Sequence, residues 1–334
     1  MTDRRVRWGV LSTANIGRAA VIPAIHQSKN GALVAVASRD STRAQEFAER
    51  NKIPRASGSY EALLNDPEID ALYIPLPNSM HKEWTIRALH EGKHVLCEKP
   101  LGVSAVECDE IDAAAVSSGV KCMEAFMYRF HPRIDRLFEL VDSGTIGPLR
   151  SMYSAFTFKL TKPDNIRWQP EFGGGSLMDV GCYCVNVSRT VMRAEPIEVQ
   201  AVAAWADTGV DERMAGMLRF ADGSTAQFDS ALSMERRECV EIAGTEGHLE
   251  IPAAFLPGTE LAIITEHHGR SDVITHTIPG VDEYELMVEH FADCVLNDRP
   301  VRYPISEAAA NMRTIEALYR SARNKGSPEP VNAA

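Results

Sequence analysis

The sequence predicts an α/β chain of two domains. The first is a doubly wound parallel sheet, and the second an α+β region with a large, mostly antiparallel open sheet. Three observations carry this expectation. Over the first 125 residues, short apolar runs alternate with segments of helical period. Beyond about residue 195, strand patterns follow one another with no helix between them. The length, 334 residues, exceeds what one hydrophobic core usually organises. The expected domains are 1–125 and 126–334.

In chain order, strands are expected at Val6–Leu11, Leu33–Ala37, Asp70–Ile74, His94–Cys97 and Val120–Ala125. Apolar helix faces between them are marked by Ile16, Ala19, Ala20 and Ala24, then by Ala44, Phe47 and Ala48, then by Trp84, Ile86, Ala88 and Leu89. Ser104 and Glu107 have capping-box spacing, and Gly92 and Gly119 sit where glycines stop helices. Past residue 126 a helix opens at Pro132 and ends at Gly144, a strand covers Leu149–Leu160, and a helix covers Phe172–Met192, entered through Gly173-Gly174-Gly175. Strands then follow at Ile197–Ala206, Met214–Phe220, Ser224–Met234, Glu238–Ile242, Leu261–Glu266 and Val273–Ile278, with Asp222-Gly223 as a hairpin turn. A last helix, Ser306–Asn324, carries Ala309, Met312, Ile315, Leu318 and Tyr319 on one face and is expected to pack back on the first domain. Ser327–Ala334 reads as a frayed tail.

Composition narrows the function classes. Lys plus Arg number 35 against 46 Asp plus Glu, a net charge of −11. Such a surface repels phosphate backbones and anionic membranes, so neither nucleic acid nor a membrane is an expected partner. No apolar run approaches the roughly 20 residues of a membrane span, and no apolar signal core follows Arg4-Arg5. Seven cysteines at unrelated spacings fit a reduced, cytoplasmic protein. No metal is expected, because no His, Cys or carboxylate cluster has ligand spacing; His267-His268 reads as a solvated strand end.

The first strand runs into Ser12-Thr13-Ala14-Asn15-Ile16-Gly17 and then directly into a helix. A dinucleotide fingerprint places glycines where Ser12, Ala14 and Gly17 stand. Only the third is glycine, but serine and alanine are small, and a helix N-terminus still offers N–H groups to a pyrophosphate. The second strand ends in Ser38-Arg39-Asp40, with Arg43 close behind. A hydroxyl beside guanidiniums suits the 2′-phosphate of NADP. Asp40 keeps NAD open as the second choice.

Three further segments fall at carboxyl ends of strands, where such a sheet meets its ligand. Pro75-Leu76-Pro77-Asn78 through His81 forms a stiff loop suited to wall a flat ring, and Glu98-Lys99-Pro100 puts a charged pair at the mouth of the sheet. Asp179 and Tyr183, at i and i+4, share the face of an otherwise apolar helix. The carboxylate needs a partner there, and a lysine would serve.

With these segments together, the chain resembles the Gfo/Idh/MocA oxidoreductase family over nearly its whole length. Glu124–Pro132 and Asn165-Ile166-Arg167-Trp168 resemble the branch of NADP-dependent D-xylose 1-dehydrogenases and dihydrodiol dehydrogenases, which also carries Ser-Thr-Ala in place of the first Gly-x-Gly. The resemblance implies a Rossmann domain, a homodimer or larger homo-oligomer through the second-domain sheet, and a Lys99–Pro100 bond that is often cis. It assigns catalysis to Lys99 and Tyr183, with Asp179 orienting both. Glu98, Arg167 and Trp168 are implied beside the cofactor, and Arg129 and Tyr284 beside the substrate. The expected reaction is hydride transfer between NADP and a sugar carbinol, with an aldose such as D-xylose oxidised at C1. Alternatives are a dihydrodiol dehydrogenase or a keto- or anhydro-sugar reductase. A non-catalytic NADP(H)-binding regulator is the alternative of another class; it would have no need of Lys99, Asp179 and Tyr183 together.

Overall fold

A computed structural model describes residues 4–331. The chain divides into two compact units, one reaching to Phe130 and including Asp282–Ala309, the other made of His131–Val281 and the residues from Ala310 onward. The first unit therefore takes in residues 126–130 and 282–309, which the sequence reading assigned to the second domain.

The first unit runs β1 (Val6–Leu11), α1 (Ile22–Gln27), β2 (Gly31–Ala37), α2 (Ser41–Arg50), β3 (Arg55–Ser57), α3 (Tyr60–Leu64), β4 (Ala71–Ile74), α4 (His81–His90), β5 (His94–Cys97), α5 (Ala105–Ser118) and β6 (Cys122–Glu124). Its sheet has the order β3-β2-β1-β4-β5-β6, all parallel. The strand order reverses between β1 and β4, which places the ligand crevice at the carboxyl ends of these strands. Strand β3 was not anticipated; it is a short edge of mostly polar residues. Ser104 caps α5 through the Glu107 N–H, and Glu107 returns to the Val103 N–H at 2.8 Å, so the capping box is present with its return bond shifted by one residue.

The helix after β1 opens with a wide i→i+5 turn over Gly17–Val21. Its buried face is Gly17, Val21, Ile22, Ala24 and Ile25, whereas Ile16 and Ala20 are half-buried and Ala19 is exposed. The expected face survives only at Ala24. An extra residue in one turn shifts the phase of every side chain that follows.

The second unit runs α6 (Pro132–Ser143), β7 (Leu149–Lys159), α7 (Cys182–Met192), β8 (Glu198–Trp205), β9 (Asp211–Arg219), β10 (Thr225–Ala231), β11 (Ser233–Gly244), β12 (His248–Pro252), β13 (Ala262–His268) and β14 (Asp272–Ile278). The expected strand Ser224–Met234 is broken at Leu232, whose N–H goes to Glu212 and whose carbonyl receives Leu160. Strand β12 was not anticipated, because His248 and Glu250 dilute the apolar pattern of Leu249 and Ile251.

The chain then returns to the first unit as α8 (Glu283–Leu296), a helix that the sequence reading left unassigned. Its signal was present in the N-cap Asp282 and in Met287, Val288, Phe291 and Ala292, all buried. Phe291 lies 5.6 Å from the Trp8 ring, and Glu289 accepts from the Lys29 N–H and the Asn30 amide. The last helix, α9 (Ile305–Arg323), begins in the first unit and ends in the second. A final pair, β15 (Glu329–Pro330), is hydrogen-bonded to β8. The tail is thus not frayed through Val331, which is buried; its remaining three residues lie outside the described ones. The larger sheet has the order β14-β13-β12-β11-β7-β10-β9-β8-β15 and is antiparallel except for the β7–β10 pair. No helix among the described residues is long and apolar enough to cross a membrane.

Because α8 closes the core over β1, Phe291→Ala is expected to cost about 3–5 kcal/mol of stability. Denaturant unfolding of the variant measures this, and a loss under about 1 kcal/mol would remove α8 from that core.

Candidate functional site

In the first unit the residues singled out from sequence gather at the carboxyl edge of the sheet. Ser12 follows β1 with φ +117°, a region that favours glycine. Its N–H bonds the Ala37 carbonyl at 2.9 Å, while its hydroxyl donates to the Pro75 carbonyl and accepts from the Ala14 N–H, both at 3.2 Å. The serine thus holds a glycine-like turn together with its own side chain. Thr13, Ala14, Asn15 and Ile16 then lead into the helix with its N-terminus at the crevice.

At the end of β2, Ser38 is buried and Arg39 and Arg43 are exposed. Both guanidiniums act on the Tyr60 hydroxyl: burial raises the pKa of that phenol, and Arg39 and Arg43 oppose the rise. Asp40 is the N-cap of α2 and accepts the Arg43 N–H at 2.8 Å. Its carboxylate is therefore engaged in holding the helix, leaving a hydroxyl and two cations at the strand end.

Glu98-Lys99-Pro100 is held from several sides. Tyr73, at the end of β4, donates to Glu98 at 2.6 Å in a fully buried bond, and burial and then the Glu98 charge push the phenol well above its ordinary range. Buried His81 has Nε2 2.8 Å from the Leu76 carbonyl and Nδ1 2.8 Å from the Pro100 carbonyl. It ties the proline-rich loop to the lysine turn; burial lowers its pKa and the two carbonyls pull it up. Glu124 accepts the Leu101 N–H at 2.8 Å. The Lys99–Pro100 peptide is cis, and Lys99 itself is half-buried. Asn78 begins the single turn that leads into α4. Tyr284, fixed in the first turn of α8 by the Asp282 cap, is close enough to Tyr73 to act on its charge. Arg129 is 5 % exposed, with its guanidinium carbon 3.4 Å above the Tyr303 ring and Nη1 3.7 Å from Glu307.

In the second unit, Arg167 Nε donates to Asp179 at 2.6 Å. An arginine twelve residues earlier is thus one cationic partner of this carboxylate. Asn165 caps the turn that carries Arg167 and half-buried Trp168. The glycine triplet makes this contact possible. A Cβ on Gly174 would stand 2.5 Å from the Arg167 carbonyl oxygen, and one on Gly175, at φ +113°, 2.1 Å from Asp211. Buried Asp211 receives Ser176 Oγ and the Leu177 N–H at 2.7 Å and Tyr319 at 2.6 Å, fixing the start of the helix. Burial raises its carboxyl pKa against these donors.

Asp179 sits inside a wide turn, Leu177–Gly181, that precedes α7. Tyr183 is 5 % exposed, its ring 5.3 Å from Phe156 and 5.4 Å from Phe255. The sequence reading missed Tyr73, Glu124, Asp211, Phe156 and Phe255. Tyr73 and Glu124 lie within quoted motifs; Asp211 and Phe156 come from strands and Phe255 from a loop, with no local signature.

Residues 6–126 match the family described as "Oxidoreductase family, NAD-binding Rossmann fold", and residues 134–250 match "GFO/IDH/MocA C-terminal domain". The chain belongs to the GFO/IDH/MocA oxidoreductase family. It is 41 % identical over 96 % of its length to D-xylose 1-dehydrogenase (NADP(+)) 2 of Haloferax volcanii, covering 99 % of that protein. It is 37 % identical to the mouse trans-1,2-dihydrobenzene-1,2-diol dehydrogenase, covering 77 % of this chain and 78 % of that one. Among solved structures, a 3-ketoreductase of Actinomadura kijaniata in complex with NADP and TDP-benzene matches with TM-score 0.91 and 29 % identity, over 95 % of this chain and 98 % of that one. In this GFO/IDH/MocA chain the turn after β1 presents a helix N-terminus, and the end of β2 presents a hydroxyl and two cations.

Ser12 combines a glycine-like backbone with two side-chain hydrogen bonds. Ser12→Ala keeps the strained φ and loses both bonds, whereas Ser12→Gly loses the bonds but relieves the strain. Thermal or denaturant unfolding is therefore expected to rank Ala below Gly by about 1 kcal/mol; the reverse order would contradict the turn geometry.

Proposed function

We propose that this chain is an NADP-dependent oxidoreductase that transfers hydride between the nicotinamide and a sugar carbinol or carbonyl, acting as an aldose 1-dehydrogenase on a D-xylose-like sugar. The anchored Glu98-Lys99-Pro100 turn carries the reading: it places a lysine at the carboxyl edge of a Rossmann sheet, with the backbone and the glutamate on either side of it held by Tyr73, His81 and Glu124. The whole-length similarity to an NADP-dependent D-xylose dehydrogenase supports the substrate class.

The donor set fits NADP. Thr13, Ala14, Asn15 and Ile16 at the helix start would hold the pyrophosphate, and Ser38, Arg39 and Arg43 the 2′-phosphate, with Asp40 engaged as a cap. Pro75, Leu76 and Asn78 would border the nicotinamide, and Arg167 and Trp168 would complete the cofactor's surroundings. When bound, NADP supplies the hydride acceptor or donor.

The chain's own residues manage the proton. As hydride leaves a carbinol carbon, its hydroxyl must lose a proton or accumulate alkoxide charge. Lys99 is proposed to hold that proton and Tyr183 to act as the second carrier. Asp179, bonded to Arg167, is proposed to orient both. Arg129 and Tyr284 are proposed on the substrate side. The same groups serve oxidation and reduction, so a diol or a keto-sugar is the second substrate class, favoured by the mouse diol dehydrogenase and the 3-ketoreductase.

We also propose a homo-oligomer through the second unit's sheet, where Val202 and Trp205 are exposed apolar residues. The free, mostly buried cysteines support a reducing cytoplasmic setting.

Following absorbance of reduced nicotinamide over a panel of aldoses and diols is the first test. Lys99→Met and Tyr183→Phe are each expected to lower kcat by at least about 100-fold, in the range of acid–base catalysis, with NADP affinity kept within a few-fold. Wild-type turnover in both variants would refute the assignment. Arg39→Ala and Arg43→Ala are each expected to raise the KM for NADP by about 10–100-fold while leaving that for NAD nearly unchanged, the worth of a charge-assisted bond to phosphate. Equal effects on both cofactors would place the 2′-phosphate elsewhere.

A further inference from the structure

Three side chains outside the proposed reaction stand together on the large sheet of the second unit. Strands β12 and β13 are antiparallel, with His248 directly opposite His267. Glu250 lies two residues beyond His248 and therefore on the same face. That face is opposite the one carrying Leu249, Ile251, Ile264 and Glu266, all buried.

The two imidazoles are parallel at 4.4 Å between centroids. Glu250 reaches both, with Oε2 3.4 Å from His267 Nε2 and Oε1 3.8 Å from His248 Nε2. One ligand atom from each residue lies within 4.8 Å of the others. His267 Nε2 is buried and has no hydrogen-bond partner among the described residues. The adjacent His268 differs: its Nδ1 lies 2.9 Å from the Glu246 carbonyl and its Nε2 2.7 Å from Glu266. The strand end expected from sequence is there, but neither imidazole simply faces solvent. A buried nitrogen without a hydrogen bond, beside a second imidazole and a carboxylate, is the donor arrangement of a metal site with an open position.

We propose that His248, Glu250 and His267 bind one divalent transition-metal ion of the imidazole-preferring kind, such as zinc or nickel. Ligands about 2.0–2.1 Å from a tetrahedral ion lie about 3.4 Å apart, the separation Glu250 and His267 already have; a small rotation of His248 completes the site, and water takes the fourth position. Magnesium and calcium, which demand oxygen-rich shells, are excluded. The ion pins β12 to β13 and uses no residue assigned to the reaction.

Calorimetric titration of chelator-treated protein with zinc chloride and nickel chloride, with magnesium chloride as control, tests this. One equivalent is expected to bind with a Kd below about 10 µM. His248→Gln and His267→Gln are each expected to weaken binding by more than about 100-fold, beyond the cost of losing an outer-shell partner. X-ray absorption of the zinc-loaded wild-type protein reads the same site without a variant, and two imidazoles with oxygen in the shell are expected. A thiolate-rich shell, equal binding of magnesium, a Kd above that limit, or affinity retained in both variants overturns the proposal.

Discussion

A parallel sheet buries its strands on both faces, so any polar group at its carboxyl edge must find a partner there. In the first unit these groups find one another around a single tripeptide. Glu98 would be costly as an isolated buried carboxylate, and the Tyr73 hydroxyl meets it at 2.6 Å. His81 spans the carbonyls of Leu76 and Pro100, and Glu124 takes the N–H of Leu101. Removing the His81 ring would take a partner from two buried carbonyls, a penalty of about 1–3 kcal/mol. The position of the Lys99 backbone is thus fixed from several sides at once.

The second unit reaches comparable rigidity by another route. There the fixed point is Asp211, a buried carboxylate at the start of the helix that carries Asp179. It accepts a helix N–H and two hydroxyls rather than pairing with a cation. The favourable end of the helix dipole offsets part of the cost of burying it. Glycines at 174 and 175 let the Arg167 turn and Asp211 approach closer than any side chain would permit. Arg167 then meets Asp179, and its charge supplies what the apolar helix face could not.

What could be read from the sequence follows the range of the interactions involved. Strands β1, β4 and β5, the cap of α5 and the Asp222-Gly223 hairpin are local patterns, and all appear. The helix after β1 shows the limit: its wide turn moved the buried face from Ala19 and Ala20 to Val21 and Ile25, which no fixed period anticipates. Helix α8 had adequate local signals, yet its place against Trp8 comes from contacts more than 250 residues apart in the chain. The same holds in the site. Lys99, Asp179 and Tyr183 stand out as chemically odd residues in apolar settings. Tyr73, Phe156 and Phe255 look like ordinary core aromatics until the fold assembles them.

Ser12 joins these levels. A glycine there would adopt the turn with less strain, as the usual dinucleotide fingerprint does. The serine accepts a backbone conformation costing about 1–3 kcal/mol and gains a hydroxyl that reaches the Pro75 carbonyl. Pro75 precedes Leu76, whose carbonyl meets His81, and His81 meets Pro100. The turn after β1 is thereby linked, bond by bond, to the proline-rich loop and to the lysine turn. The departure from glycine exchanges local backbone comfort for mechanical continuity along the sheet edge.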